Sequence, residues 1–345
     1  MGGNLFKEIT RRCTHEEYDI IIGKMLPILK HNLNTEVYVA PSYHTKETFG
    51  DIDILISDNG FLCDINMFIR GIFGTENIHT NGNVHSFVYD EIQIDLIRIS
   101  HMYFEFAKTW FAYDPLPNLM GKVAHKFGLK YGFNGLVMPY RGSSGLHVRD
   151  IMISRDNRKI FEFLGFDYDA YLRGFETMQD VFDYVANSKY FVPENFLMEN
   201  LNHIDRKRTT HRPSYQEFLK FINSEVERGR KWDFQFLPEK DMYVPHINIQ
   251  FPEANLYAEI KNCIDADARV RRIAEKFNGD MVKSAFPELS GEKLGEYIRG
   301  FRSHVSMIQR TLGFDGDDNR LFNDYIFNVS DDMIRKEMQT YYERV

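Results

Sequence analysis

The sequence predicts an α+β fold, and three observations lead there. Residues 14–33 carry apolar side chains at helical spacing, residues 36–99 hold short β-rich runs of alternating pattern, and the chain beyond residue 178 returns to helical periodicity. The opening helix has Thr14 as its cap and Glu17 three residues on, a capping-box pair. Tyr18, Ile21, Ile22, Met25, Ile28 and Leu29 then recur along one face. Residues 36–40 and 52–56 read as short strands, and residues 61–71 as a connecting amphipathic helix. Residues 84–89 and 92–99 are β-rich and are separated only by Asp90 and Glu91, which predicts a hairpin. After Pro115 and Pro117, a basic helical stretch covers 119–130, a Gly-rich, strand-like stretch covers 132–149, and 155–164 is helical again. Helices with loops near Pro193, Pro213 and Pro245 fill the rest, and the irregular residues 233–251 read as a linker.

Composition narrows the class. The chain has 345 residues, 43% of them apolar and 27% charged, which excludes a disordered, collagenous or coiled-coil protein. A formal net charge of −8 excludes a histone-like protein but is compatible with a local basic groove. Cys13, Cys63 and Cys263 are odd in number and far apart, so neither a zinc site nor a disulfide framework is expected. A reducing compartment is the simpler reading. The N-terminus lacks the apolar core of a signal peptide, and Phe6 stands where an N-myristoylation signal starting at Gly2 has Ser or Thr. No run reaches the ~18 apolar residues of a membrane span. The expectation is a cytoplasmic protein. Walker A, Ser-His-Asp and His-Asp phosphohydrolase patterns are not visible.

The sharpest feature is Gly50-Asp51-Ile52-Asp53-Ile54-Leu55-Ile56. Strand side chains alternate, so Asp51 and Asp53 leave one face while Ile52, Ile54 and Ile56 enter the core. Two adjacent carboxylates repel unless cations or donors neutralise them, an arrangement suited to magnesium. Gly50 lets a phosphate approach the backbone. Asp95 lies in the middle of another alternating strand, Glu91-Ile92-Gln93-Ile94-Asp95-Leu96, where a charge facing the core would be costly. Beside Asp51 and Asp53 it would complete a metal triad.

Ser42, Gly50-Asp51-Ile52-Asp53 and Gln93-Ile94-Asp95-Leu96 together resemble the polymerase-beta-type nucleotidyltransferase superfamily, within it most nearly the family X DNA polymerases. Trp110-Phe111-Ala112-Tyr113-Asp114, followed by Asn118 and Lys122, is similar to the family X nucleotide pocket. Arg158-Lys159-Ile160-Phe161-Glu162-Phe163-Leu164-Gly165 resembles the helix that closes its thumb. The resemblance implies a palm of mixed or antiparallel sheet with helices over residues 1–105, a thumb-like nucleotide- and nucleic-acid-binding domain over 106–176, and a mainly helical C-terminal domain over 177–345. It implies Asp51, Asp53 and Asp95 as catalytic ligands of two Mg²⁺ ions, with Mn²⁺ as a substitute. Ser42, His44, Lys46, Gly50, Trp110, Phe111, Asn118 and Lys122 would bind a nucleoside triphosphate. Pro41-Ser42 replaces the family's Gly-Ser, and His44 and Lys46 replace its arginines. About 35 residues precede the palm, so the family's lyase and fingers domains are not expected ahead of it.

Residues 121–155 carry a local charge of +5 in an acidic chain. Lys126, Lys130 and Arg141 from this stretch, with Arg206, Lys207, Arg208 and Arg212 further on, are candidates to track a phosphate backbone. The expected activity is therefore metal-dependent addition of nucleotides from (d)NTP to a nucleic-acid 3′-hydroxyl, with release of pyrophosphate. Alternatives are an RNA or tRNA 3′ end as acceptor, transfer to a protein or small molecule, and a non-catalytic nucleic-acid-binding protein. The tRNA alternative draws on a faint likeness of residues 277–298 to a helical segment of bacterial tRNA nucleotidyltransferases.

Overall fold

The computed structural model describes residues 3, 5–59 and 64–344. Gly2, Cys63 and the first part of the expected helix at 61–71 lie outside them. A short strand β1 (Cys13–Thr14) leads into α1 (His15–Leu33). Thr14 and Glu17 form the capping box in full, and Ile21, Met25, Leu29 and Leu33 form the buried stripe of the helix. Strands β2 (Val37–Val39), β3 (Thr48–Phe49) and β4 (Asp51–Asp58) follow. Helix α2 (Ile65–Phe73) is capped by Asp64, whose side chain accepts from the N–H groups of Asn66 and Met67. Then come β5 (Ile78–Asn81), β6 (Val84–Tyr89) and β7 (Ile92–Ser100). The β6–β7 hairpin turns on Asp90 and Glu91, both at positive φ (52° and 59°), as a two-residue turn matched to strand twist requires.

The five main strands form a mixed sheet in the order β2-β4-β7-β6-β5, with β4 and β7 parallel and the other pairs antiparallel. One face is apolar along its whole length. Ile52, Ile54, Ile56, Ile94 and Leu96 pack there against Ile21, Met25 and Leu29 of α1 and Ile65 and Ile69 of α2. The other face is divided. Leu55, Ile97 and Ile99 are covered by Phe104 and Ala107 of α3 (Phe104–Phe111), whereas the N-terminal ends of β4 and β7 carry carboxylates.

The chain continues through α4 (Leu116–Lys126) and a three-stranded sheet of β8 (Lys130–Gly132), β9 (Gly135–Arg141) and β10 (His147–Ser154). Helices α5 (Asn157–Phe163), α6 (Tyr168–Leu172), α7 (Met178–Ala186), α8 (His203–Thr210), α9 (Pro213–Glu227) and α10 (Val244–Gln250) follow. The expected linker at 233–251 is built into this body. Aromatic rings decide that: Phe236 and Tyr243 both pack edge-on against Phe127, with centroids 5.3 and 4.7 Å away.

The chain divides into two compact units. The first comprises residues 1–139 and 149–256; the second comprises residues 140–148 and 257–345. The sequence-derived boundaries at 105/106 and 176/177 both fall inside the first unit. Phe182, Phe191, Phe196, Phe218 and Phe221, all beyond residue 176, are buried within it. The second unit is built on α11 (Leu256–Lys276), α12 (Gly279–Ala285), α13 (Gly291–Thr311), α14 (Asp318–Asn328) and α15 (Asp331–Tyr342). Phe277, Phe286, Tyr297, Phe301, Phe322 and Ile334 form its own core. No helix among the described residues is long and apolar enough to cross a membrane.

Candidate metal centre

Strand register creates this site. In the parallel β4–β7 pair Asp53 lies directly beside Asp95, and Asp51 beside Gln93. Period-two alternation then puts all four side chains on one face. Asp51, Asp53 and Asp95 each offer a carboxylate oxygen, and these oxygens all lie within 4.8 Å of one another. The apolar covering of this face begins only at Leu55 and Ile97, so the carboxylates lie outside it.

Burial raises the pKa of all three carboxylates, and neighbouring charge adds to it at Asp53 and Asp51. Burial pushes Asp53 well up, and the charges of Asp51, Asp95 and Asp114 push it further. Asp51 is raised by burial and by Asp95, with Lys46 and the backbone N–H of Gly3 pulling the other way. Burial also raises Asp95, opposed by hydrogen bonds from Ser86 and Gln93. The Gln93 amide donates to both oxygens of Asp95, at 3.0 and 3.3 Å. Among the described residues, Lys46 is the ammonium that these charges act on. It sits 4.5 Å from the centroid of the Phe49 ring, and its pKa is lowered by burial while Asp114, Asp51 and Asp53 draw it back up. Phe49 in turn stacks on Tyr18 at 4.0 Å. Three or four carboxylates around one half-compensated amine form a hard, oxygen-rich, strongly anionic site. A divalent cation fits that donor set.

No family model matches this chain, and no curated protein matches it. Among solved structures, the polymerase beta of Leishmania infantum, determined as a ternary P/T complex, is similar. It is 14% identical, the match covers 47% of this chain and 76% of that one, and the TM-score is 0.36.

The remaining candidates are distributed as follows. Ser42, His44 and Lys46 lie on the loop between β2 and β3, and Gly50 lies between β3 and β4. The loop is fastened to a later segment. The N–H groups of His44 and Thr45 donate to the carbonyls of Phe175 and Glu176 at 3.1 and 2.9 Å, and His44 Nδ1 lies 2.9 Å from Glu176 Oε2. Trp110 and Phe111 end α3, packed edge to face at 4.8 Å. Asn118 is in the first turn of α4. The Trp110 indole N–H and Asn118 Oδ1 are both buried without a hydrogen-bond partner among the described residues.

The basic candidates divide into two groups. Lys122 is buried, and its ammonium pairs with Asp205 at 2.8 Å. Lys130 pairs with Asp150 at 3.0 Å, and Arg141 donates to the Gly145 carbonyl at 3.0 Å. Arg206 donates to the carbonyls of Met198, Glu199 and Leu201. Lys126, Lys207, Arg208 and Arg212 make no ion pair among the described residues; the last three are exposed. Sequence reasoning did not single out Asp114, Gln93, Ser86 or Tyr18 as site residues. Ser86 becomes a neighbour of Asp95 only through the β6–β7 register, whereas Gln93 is its neighbour by alternation along β7, the one signal that could have found it.

Proposed function

We propose that the protein is a divalent-metal-dependent nucleotidyltransferase that moves a nucleotide from a (d)NTP to a nucleic-acid 3′-hydroxyl, releasing pyrophosphate. The observation that carries the reading is the convergence of Asp51, Asp53 and Asp95, all with raised pKa values, on one face of the sheet. These carboxylates would hold magnesium or manganese ions. Such ions, when bound, neutralise phosphate oxygens and lower the pKa of an attacking hydroxyl. The chain's own residues do the rest. Gly50, lacking a side chain, would let the phosphates approach its backbone, and Lys46 supplies positive charge beside Asp51. The free indole N–H of Trp110 and the free Oδ1 of Asn118 offer one donor and one acceptor to the nucleoside. Catalysis on this reading is positioning and charge compensation.

A second reading, transfer to a protein or small molecule, is favoured by the internal pairing of Lys122, Lys130 and Arg206, which leaves fewer cations for a polymer. One assay separates the two. The full chain is incubated with Mg²⁺ or Mn²⁺, all NTPs and dNTPs, and labelled DNA, RNA and protein acceptors, and pyrophosphate release is followed. The lead reading expects extension of a nucleic-acid 3′ end. Label on protein alone moves the assignment to the second reading, and no pyrophosphate with any acceptor or metal ends the lead reading and transfer to protein.

A further inference from the structure

Ahead of β1, Gly3, Leu5 and Arg11 each bond near the starts of β4 and β7. Arg11 N–H donates to the Glu91 carbonyl at 2.9 Å, just before β7 begins. Leu5 N–H donates to Gln93 Oε1 at 3.1 Å, and the same Gln93 amide donates to Asp95. The Gly3 N–H donates to Asp51. Gly3 also lies so close to Gly50 that a Cβ on Gly3 would overlap the Gly50 carbonyl oxygen, and its φ of +78° is one that L side chains rarely adopt. Two of the three carboxylates are therefore reached from this segment, one directly and one through Gln93.

We propose that Gly3 and Leu5 belong to an autoinhibitory strap, seated where the phosphates of a nucleoside triphosphate would meet Gly50 and Asp51. The inference rests on the nucleotidyltransferase reading. Its physical basis is exclusion. Gly50 is useful to a phosphate because its backbone is bare, and that bare backbone already has the Gly3 backbone against it. The N–H of Gly3 also engages the carboxylate that a cation would use. The strap must lift before the phosphates can seat, so apparent affinity is reduced by the fraction of molecules with the strap in place. Lifting it is feasible, because among the described residues Gly3 and Leu5 are held to the site by backbone N–H groups donating to two side chains. Each such bond shifts an equilibrium by about threefold to tenfold.

Two variants of the full chain test this. Gly3→Ala adds the overlapping Cβ at a positive φ. Leu5→Pro deletes the N–H that Gln93 accepts, at a residue 47% exposed, so no core is disturbed. Magnesium tripolyphosphate is the probe, because it carries the phosphates without a base, and binding is read by calorimetry on protein with unchanged melting temperature. Each variant should bind it about threefold to tenfold more tightly than the unmodified chain. Equal or weaker binding by both variants overturns the strap and leaves the nucleotidyltransferase reading standing. Tighter binding, with no pyrophosphate released in the acceptor assay, supports the strap and overturns that reading. No binding by any of the three proteins overturns both.

Discussion

At the open end of β4 and β7 three carboxylates are packed side by side, while at the junction of α4 with α8 one buried ammonium faces one carboxylate. Lys122 has Asp205 at 2.8 Å, so its charge is answered within the chain. Asp53 has Asp51 and Asp95 for neighbours, and their charges make its ionised form less favourable still. Both regions remove charge from water, yet only the second answers it one to one; Lys46 and the donors at Asp51 and Asp95 offset only part of the charge of the first. The first persists because backbone pairing of β4 with β7, and apolar packing of the opposite face, hold the carboxylates whatever their repulsion. A region assembled against its own electrostatics is poised for a cation from outside. A region that closes its own charges holds helices together.

Asp53→Asn, Asp51→Asn or Asp95→Asn should each lower turnover about a hundredfold to a thousandfold, as expected when one group compensating transition-state charge is lost. In EDTA the same variants should melt higher than the unmodified chain, because repulsion is relieved. Adding Mg²⁺ should raise the melting temperature of the unmodified chain more than that of any variant. Near-normal turnover in any one of them removes that residue from the site.

At the α4–α8 junction the opposite behaviour is expected. Lys122→Met leaves Asp205 without its partner. The Lys122 side chain is 8% exposed and that of Asp205 32%, so the loss falls between that of a surface and a buried pair, at about 2 kcal/mol. Combining it with Asp205→Asn should restore part of the loss, and urea unfolding of the four proteins in a double-mutant cycle measures the coupling. Additive losses would mean that the pair contributes nothing.

pH sharpens the contrast. A carboxyl whose folded pKa is raised takes up protons more readily folded than unfolded. Its contribution to stability is present below the unfolded value of about 3.9 and is lost as pH rises through the higher folded value. Asp51, Asp53 and Asp95 are all raised. In EDTA, the stability advantage of Asp53→Asn over the unmodified chain should be small near pH 4 and widen as pH rises above it. Urea unfolding across that window checks this. An advantage that shrinks with rising pH would reverse the assigned direction of the shifts.

Local signals made much of this legible in the sequence. The Thr14–Glu17 capping box, the two-residue turn at Asp90 and Glu91, and the alternation of β4 and β7 each depend on residues a few positions apart. They sufficed to place Asp51, Asp53 and Asp95 on strands. That Asp95 lies beside Asp53 is a matter of register between strands 42 residues apart, which the motif suggested and the parallel pairing carries out. Contacts set by long-range packing were not legible. Lys122 reads as one more cation of a basic helix until Asp205, 83 residues later, is folded against it. Residues 233–251 read as a linker because nothing local says that Phe236 and Tyr243 meet Phe127. Gly3 carries no sequence signal at all; its meaning comes from lying against Gly50.

The smallest expected effect concerns the cations that the fold leaves unpaired. If paired cations are structural and unpaired ones face a partner, Lys207, Arg208 and Arg212 should contribute to nucleic-acid affinity, and Lys130, held by Asp150, should contribute little. Phosphate contacts release counterions, so each one lost should reduce the slope of log affinity against log salt by about 0.7–0.9. Lys207→Glu with Arg208→Glu should therefore flatten the slope by up to two such steps, whereas Lys130→Gln should leave it nearly unchanged. Fluorescence anisotropy with a labelled single strand, titrated at several salt concentrations, reads both. A slope that falls equally for the two sets would erase the distinction between paired and unpaired cations. A slope that falls for neither would turn the acceptor assignment away from a nucleic acid, because a polymer of phosphates cannot bind an acidic protein without answering its charge.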